Sequence, residues 1–308
     1  MLQLVEYIKK NNLGEVLLDK YFCDITTLKI GGKINLLYYP NTISNFIVFY
    51  NYYLKQYNNK KLIIIGNGSN ILASSDDFNG IVVCFKKIMY KYTLINNIVT
   101  VNSGVMIMDL INYLKENNLS GLEKLSYIPA TIGGMIKMNA GAYNKEISEN
   151  LLFIKCIDKQ GNIKIIKKNE IIFKYRYCSL SDEYIILECT FILDYKDKKN
   201  IEQKIKLIKK ERLTKQPLKE FNAGSTFKNI NGYPIWKLID SVGLRGYSIN
   251  DASVSNLHSN FLINKNKATG EDMLLLINLI KDKVKEKFNL SLECEWILIN
   301  FKKSVYFS

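Results

Sequence analysis

Histidine is almost absent from this chain: 308 residues contain one, His258. Any site that needs two imidazoles is therefore excluded. The six cysteines, Cys23, Cys84, Cys156, Cys178, Cys189 and Cys294, include no C-x-x-C pair. Together these absences argue against a zinc site and leave the cysteines mostly as buried thiols rather than disulfides. Arginine is nearly as scarce, with three residues against 40 lysines. No apolar run approaches the ~20 residues needed to span a bilayer. The start, Met1-Leu2-Gln3-Leu4-Val5-Glu6, has no basic leader before a long apolar stretch, so the expected location is the cytosol. Internal repeats and low-complexity linkers are also missing.

What is present is an ordinary globular composition, 47% hydrophobic and 23% charged, in a chain long enough for two or three domains. The formal net charge of +14 invites a nucleic-acid reading. However, the lysines are spread along the whole chain among many Ile, Asn and Tyr residues, which points to compositional bias and solvated faces. An anionic substrate remains compatible with the charge.

Helical spacing marks Ile43 to Tyr57 and Met106 to Asn117. Leu62 to Ile65 and Gly80 to Phe85 read as short buried strands. Leu152 to Ile157 and Ile163 to Ile166 flank a hairpin turn, Asp158-Lys159-Gln160-Gly161-Asn162. A Lys-rich helix ends near Lys215, before Pro217, and a further helix spans Ile235 to Val242. A long amphipathic helix runs from Glu271 to Phe288, with Thr269 and Asp272 as its capping signal. A final strand is expected over Leu292 to Ile299. The fold class is α+β, with a domain boundary near residue 200.

Two glycine loops stand out. Gly66-Asn67-Gly68-Ser69-Asn70-Ile71 follows a strand directly, and its amide groups could cradle a phosphate. It lacks the third glycine of a dinucleotide-binding turn and could equally be a tight β-turn. The second loop, Ile128-Pro129-Ala130-Thr131-Ile132-Gly133-Gly134 followed by Met138-Asn139-Ala140-Gly141, reads as small residues along an extended path. Such a path suits a long ligand with a pyrophosphate and a planar ring, or else a buried crossover. No P-loop lysine is present.

Three further segments carry candidate chemistry. Arg176 lies in Tyr175-Arg176-Tyr177-Cys178, where a lysine-rich chain has kept a planar guanidinium. Ser225 lies in Ala223-Gly224-Ser225-Thr226-Phe227-Lys228-Asn229, as an active hydroxyl or a helix cap. Glu295 lies in Leu292-Glu293-Cys294-Glu295, within the expected last strand and facing either inward or outward.

Taken in order, these segments resemble the MurB family of UDP-N-acetylenolpyruvoylglucosamine reductases. The resemblance starts at Thr26-Thr27-Leu28-Lys29-Ile30-Gly31-Gly32 and ends at Glu295. It also takes in Gly243-Leu244-Arg245-Gly246-Tyr247, Val254-Ser255, His258 and Asn260-Phe261. It implies a two-subdomain FAD-binding fold of the vanillyl-alcohol-oxidase type plus a C-terminal α+β substrate domain. The implied divisions are 1–87, 88–200 and 201–308. By the same resemblance, Gly66, Asn67, Gly68, Ser69, Asn70 and Ile71 would hold FAD together with Ala130, Thr131, Gly133, Gly134, Asn139 and Gly141. That FAD would be non-covalent, because the only histidine lies outside both loops. NADPH would be the hydride donor. Arg176, Ser225 and Glu295 would be catalytic, and Tyr175, Lys228 and Asn229 would lie toward a UDP-sugar.

The 49-residue spacing from Arg176 to Ser225 is short and implies the class without an inserted tyrosine loop, so Tyr175 does not take that tyrosine's role. Cys178, Ile230, Asn250-Asp251 and Trp296 depart from the usual family pattern. The expected partners are small molecules, with no nucleic acid, no membrane and a monomeric state. The alternatives are a sugar or lactone oxidase of the same fold, a basic nucleic-acid-binding protein, and an inactive relative kept as a scaffold.

Overall fold

The computed structural model describes residues 1–88, 92–180, 183–230 and 233–302. It contains two compact units, each gathered from separated stretches of chain. The first takes Met1–Leu18, Leu36–Asn67 and Asn79–Lys210. The second takes Asp19–Asn35, Gly68–Phe78 and the stretch from Glu211. Among the described residues, no helix is long and apolar enough to cross a membrane.

The first unit holds two hydrophobic clusters. In one, the helix Ile43–Gln56 starts at Thr42, whose Oγ1 accepts the Asn45 amide at 3.1 Å. This meets one of the four amide donors that every helix start leaves unpaired. The helix buries Phe46, Phe49, Tyr50 and Tyr53 in a core shared with Leu36, Tyr38, Ile81 and Val83. Each fully buried phenylalanine contributes ~1.5–3 kcal/mol relative to exposure. The strand order in the accompanying sheet is Gly14–Leu17, Lys33–Pro40, Phe78–Cys84, Lys61–Ile65. The last two strands are parallel, with Ile65 opposite Cys84, and Gly66 leaves the sheet at that point.

The other cluster lies on a five-stranded antiparallel sheet, Ile163–Lys167, Leu151–Asp158, Tyr184–Ile192, Ile98–Asn102 and Tyr92–Ile95. Asp158 turns the first hairpin by accepting the Gln160 and Asn162 amides, with Gly161 at φ 85°. The helix Ile107–Glu116 adds Ile107, Leu110, Ile111 and Leu114 to this core.

The second unit has one cluster. Its four-stranded sheet runs Phe221–Ser225, Phe261–Asn264, Ala252–Val254, Ser248–Ile249. The helix Gly270–Phe288 packs Met273, Ile277, Ile280 and Val284 against it. The expected cap is present. Thr269 Oγ1 accepts the Asp272 amide at 3.0 Å, and Asp272 Oδ2 accepts the Thr269 amide at 2.9 Å.

Two expectations are corrected here. The final strand covers only Ile297–Ile299, parallel to Ile71–Ala73, rather than Leu292 to Ile299. The segment before it faces Thr226 to Lys228 instead, through a single isolated bridge of Cys294 with Phe227, so it does not continue the strand. Glu295 thus lies just outside the strand. In the second glycine loop, Ile132–Lys137 is a short helix rather than an extended path, because Ile132, Met135 and Ile136 are buried at helical spacing.

Candidate functional site

In the first unit, both glycine loops and the Arg176 hairpin are joined by short contacts. The Gly66 carbonyl accepts the Cys84 thiol at 3.4 Å, and Asn67 Nδ2 donates to the Pro129 carbonyl at 2.7 Å. A Cβ added at Gly66 would lie 2.1 Å from Thr131 Oγ1. Further on, the Gly133 amide donates to the Ser103 carbonyl at 2.8 Å. Asn139, at φ 41°, donates through Nδ2 to Glu146 Oε2 at 2.6 Å and to the Lys174 carbonyl at 3.0 Å. Ala130 is tied down through its carbonyl, which accepts the Ile107 amide at 3.0 Å.

Arg176 occupies the tip of the hairpin formed by Phe173–Lys174 and Tyr177–Cys178, and its φ is 52°. This left-handed conformation is one that a side chain with Cβ rarely adopts outside Asn, Asp and His. Its Nη2 donates to the Gly141 carbonyl at 3.1 Å, and its guanidinium lies 4.9 Å from the centre of the Tyr175 ring. Glycine at this tip would avoid the strain, so the arginine is held there at a cost of the kind that clusters at functional sites.

A flavin dinucleotide fits these residues. Gly66 leaves backbone bare where a Cβ has no room. Ser103 Oγ and Asn139 Oδ1 are buried with no hydrogen-bond partner among the described residues. Buried polar atoms are rarely left unpaired without a ligand or water to satisfy them. Ser103 was missed by the sequence reading. The available signal was Ser103-Gly104 following the strand Ile98–Asn102, just as Gly66 follows Lys61–Ile65. A cavity of ≈ 690 Å³ also opens in this unit, where Tyr143 and Lys145 meet Tyr195, Lys196 and Lys204. It too had no sequence signal, since its walls come from four separated segments.

Replacing Gly66 by alanine is expected to lower stability by ~1–3 kcal/mol through overpacking against buried Thr131 and to lower the flavin-to-protein absorbance ratio. Gly134→Ala is its control for stability. There the added Cβ meets only Thr131 Oγ1, at 3.5 Å, and the better helix propensity is expected to raise stability by ~0.5–1 kcal/mol. Thermal melts of both variants check the pair. Equal losses would remove the steric argument.

The second unit holds the rest. Gly68 has φ 65°, and Ile71 pairs with Ile297. Ser69 lies beside Gly224, whose added Cβ would stand 4.0 Å from the Ser69 carbonyl. Asn70 brackets the end of the Glu295 segment. Its Nδ2 donates to the Glu295 carbonyl at 3.0 Å, and its own carbonyl accepts the Ile297 amide at 2.9 Å.

Ser225 ends the strand Phe221–Ser225, after a register shift in which Gly224 takes φ 76°. This is a strand bulge and not a helix start, so the helix-cap alternative for Ser225 falls away. Its neighbour Thr226 accepts the Glu295 amide on its carbonyl at 2.8 Å, and the Lys228 amide donates to the Glu293 carbonyl at 2.9 Å. The structure thus brings the Ser225 and Glu295 segments side by side. Lys228 is in an ion pair with Glu293 at 2.5 Å, which offsets its charge, and Asn229 is exposed. Arg176 and Tyr175 belong to the first unit.

His258 is half-buried against Phe261, 4.9 Å between ring centres, and its Nδ1 has no partner among the described residues. Burial pushes its pKa below the ordinary 6.5, and the Arg245 charge adds to this. The unfolded chain therefore takes up this proton first as pH falls. The stabilisation is complete above ~6.5 and is lost as pH drops from there through the lowered folded value. With a single histidine in the chain, one imidazole resonance reports the titration by NMR. A midpoint at or above 6.5 would contradict the burial argument.

Comparison with known proteins agrees with this geometry. Residues 38–167 match the family described as FAD binding domain. Residues 216–299 match the UDP-N-acetylenolpyruvoylglucosamine reductase C-terminal domain. A UDP-N-acetylenolpyruvoylglucosamine reductase of Clostridium tetani is 40% identical over 279 residues, 90% of each chain. One from Clostridium botulinum strain 657 is 38% identical over 296 residues, 96% of this chain and 95% of the relative. The crystal structure of the MurB reductase from Thermus caldophilus superposes with a TM-score of 0.77 at 28% identity, covering 93% of this chain and 99% of that one. The fold is therefore α+β, an FAD-binding domain followed by a MurB-type C-terminal domain. With a flavin-binding domain, a matching C-terminal domain and relatives this similar along nine-tenths of their length, the chain belongs to the UDP-N-acetylenolpyruvoylglucosamine reductase family and is an FAD-dependent oxidoreductase.

Proposed function

We propose that the chain uses NADPH to reduce the enolpyruvyl group of UDP-N-acetylglucosamine enolpyruvate, giving UDP-N-acetylmuramate for peptidoglycan precursor synthesis. The observation that carries this reading is the joint placement of the Ser225 and Glu295 segments, hydrogen-bonded to each other at Thr226. An oxidase that only needs to bind flavin has no use for that pairing.

The residues from Gly66 to Ile71 and from Ala130 to Gly141 hold the cofactor, with Ser103 Oγ and Asn139 Oδ1 as further polar contacts. FAD bound there would supply the hydride-transfer chemistry that links NADPH to the substrate. Attachment is non-covalent. His258 lies outside both loops, and the thiols are poor nucleophiles. Burial pushes Cys156 and Cys294 up to about 11 and raises Cys84 beside Gly66 as well.

Hydride arrival on the vinyl carbon leaves negative charge on the adjoining carbon, spread into its carboxylate. Arg176 is a fixed, always-charged partner for that carboxylate, and Glu295 in its protonated form donates a second hydrogen bond. Ser225 then delivers the proton that completes the reduction. Tyr175 and Asn229 lie toward the UDP-sugar, while Lys228 contributes as part of its pair with Glu293. The division into 1–87, 88–200 and 201–308 belongs to this reading; the three hydrophobic clusters follow it for most of their residues, while Leu28, Ile30 and Leu72 pack with the C-terminal cluster and Ile157 and Leu187 with the N-terminal one. The enzyme works in the cytosol as a monomer on small molecules, without nucleic-acid or membrane partners.

The test is the visible spectrum of the purified protein, followed without oxygen. Flavin bands should bleach with NADPH and return when UDP-N-acetylglucosamine enolpyruvate is added. Bands that return only with oxygen would replace this reading by the oxidase one.

A further inference from the structure

Asn260 is 3% exposed, so it has no surface to offer a ligand. Its side chain makes two hydrogen bonds to one residue. Oδ1 accepts the Phe227 amide at 3.0 Å, and Nδ2 donates to the Phe227 carbonyl at 2.9 Å. Its own carbonyl accepts the Thr226 amide at 2.8 Å. A carboxamide that matches both backbone groups of a single residue fixes that peptide in place and orientation, as one strand would fix another. The clamped residue sits between the two candidate acids. Ser225 lies two positions before Phe227. The Thr226 carbonyl holds the Glu295 amide, and the Lys228 amide holds the Glu293 carbonyl.

The bulge explains why such a clamp is needed. At Gly224 the strand shifts register against Phe261–Asn264, and beyond Ser225 the last backbone bond to that side is from the Thr226 amide to the Asn260 carbonyl. Phe227 continues only as an isolated bridge to Cys294. Asn260 supplies the missing ladder contacts.

We propose that Asn260 is a positioning residue that sets Ser225 and Glu295 in register for proton delivery to the reduced substrate. This rests on the catalytic roles given to those two residues above. Reduction of the flavin by NADPH uses neither residue, so the two half-reactions separate positioning from folding.

The experiment measures both half-reactions anaerobically in the holoenzyme, for Asn260→Ala, Asn260→Asp and Ser225→Ala. For Asn260→Ala, flavin content and reduction by NADPH are expected to stay within a few-fold of wild type. Reoxidation by UDP-N-acetylglucosamine enolpyruvate should slow by ~10²-fold, the effect of displacing a reacting group by about an ångström, with little change in substrate KM. Asn260→Asp keeps the shape and carries the test if the alanine variant does not fold. Its ionised form cannot donate to the Phe227 carbonyl, but its protonated form can. Its reoxidation rate, divided by that of wild type at each pH to cancel titration of Glu293, Glu295, Lys228 and His258, should rise as pH falls. Loss of flavin content and of both half-reactions together, or an Asn260→Asp ratio flat with pH, would overturn the proposal and leave Asn260 a structural residue. A normal Ser225→Ala enzyme would instead overturn the catalytic assignment beneath it. Normal Asn260 variants beside a slow Ser225→Ala enzyme would overturn the clamp alone.

Discussion

Ser225→Ala is expected to slow reoxidation of the reduced enzyme by UDP-N-acetylglucosamine enolpyruvate by ~10²–10⁴-fold, the range for removing a positioned proton donor. Flavin content and the rate of bleaching by NADPH should stay near wild type. Substrate KM should change little, because the hydroxyl acts only once charge has developed, and an interaction made only in the transition state lowers kcat and kcat/KM together. The structure allows so selective an effect. Ser225 is half-buried at the end of a strand, and no hydrogen bond from its hydroxyl holds the fold together among the described residues. The backbone there is fixed by Gly224, Thr226 and Asn260, none of which the substitution touches. Ser225→Cys keeps a donor at the same atom and should recover part of the rate. Stopped-flow measurement of the two half-reactions decides the matter. Reoxidation of the alanine variant within ten-fold of wild type would remove Ser225 from the chemistry.

Arg176→Gly should separate stability from activity. Left-handed φ costs a residue with Cβ roughly 1–2 kcal/mol, and glycine nothing. Against that relief stand the loss of a half-exposed hydrogen bond to the Gly141 carbonyl, worth about 1 kcal/mol, and of the ring contact with Tyr175, among the interactions of Arg176. Relief and loss are of similar size, so the melting temperature of the variant should stay close to that of wild type. Reoxidation by substrate should fall by ~10²–10³-fold, as when one donor to a developing oxyanion is removed. Arg176→Lys should retain the strain and still lose most of the rate, since an ammonium cannot make the planar, two-pronged contact. Calorimetry together with single-turnover reoxidation tests both variants. A glycine variant that melts much earlier would mean that Arg176 serves the fold.

How far the site could be read before the structure depended on the range of its contacts. Helices with a local signature, such as Gly270–Phe288 with its Thr269 cap and the aromatic Ile43–Gln56, were legible because cap and period lie within a few residues. The Asp158 hairpin was legible for the same reason. The end of the last strand was not. Leu292 to Ile299 looks uniformly apolar, and only long-range bonds from Asn70, Thr226 and Lys228 decide that pairing starts at Ile297. The helix Ile132–Lys137 was hidden by its glycines, which lower helix propensity while burial of Ile132 and Met135 enforces it. The scarcity of arginine singled out Arg176, but its φ could not be read from the sequence. Asn260 appeared only as part of a motif, because nothing in a sequence tells which backbone an amide will bind.

The parallel pair of Ile71–Ala73 with Ile297–Ile299 joins residues more than two hundred positions apart. Seen from the ribosome, the segment Gly68–Phe78 emerges early and then waits. At ~5–20 residues per second, its strand partner follows about ten to forty seconds later. In that interval the edge Ile71-Leu72-Ala73 is uncovered, and Asn70 has nothing to bracket. Pairing of this edge therefore waits until Ile297–Ile299 has been made.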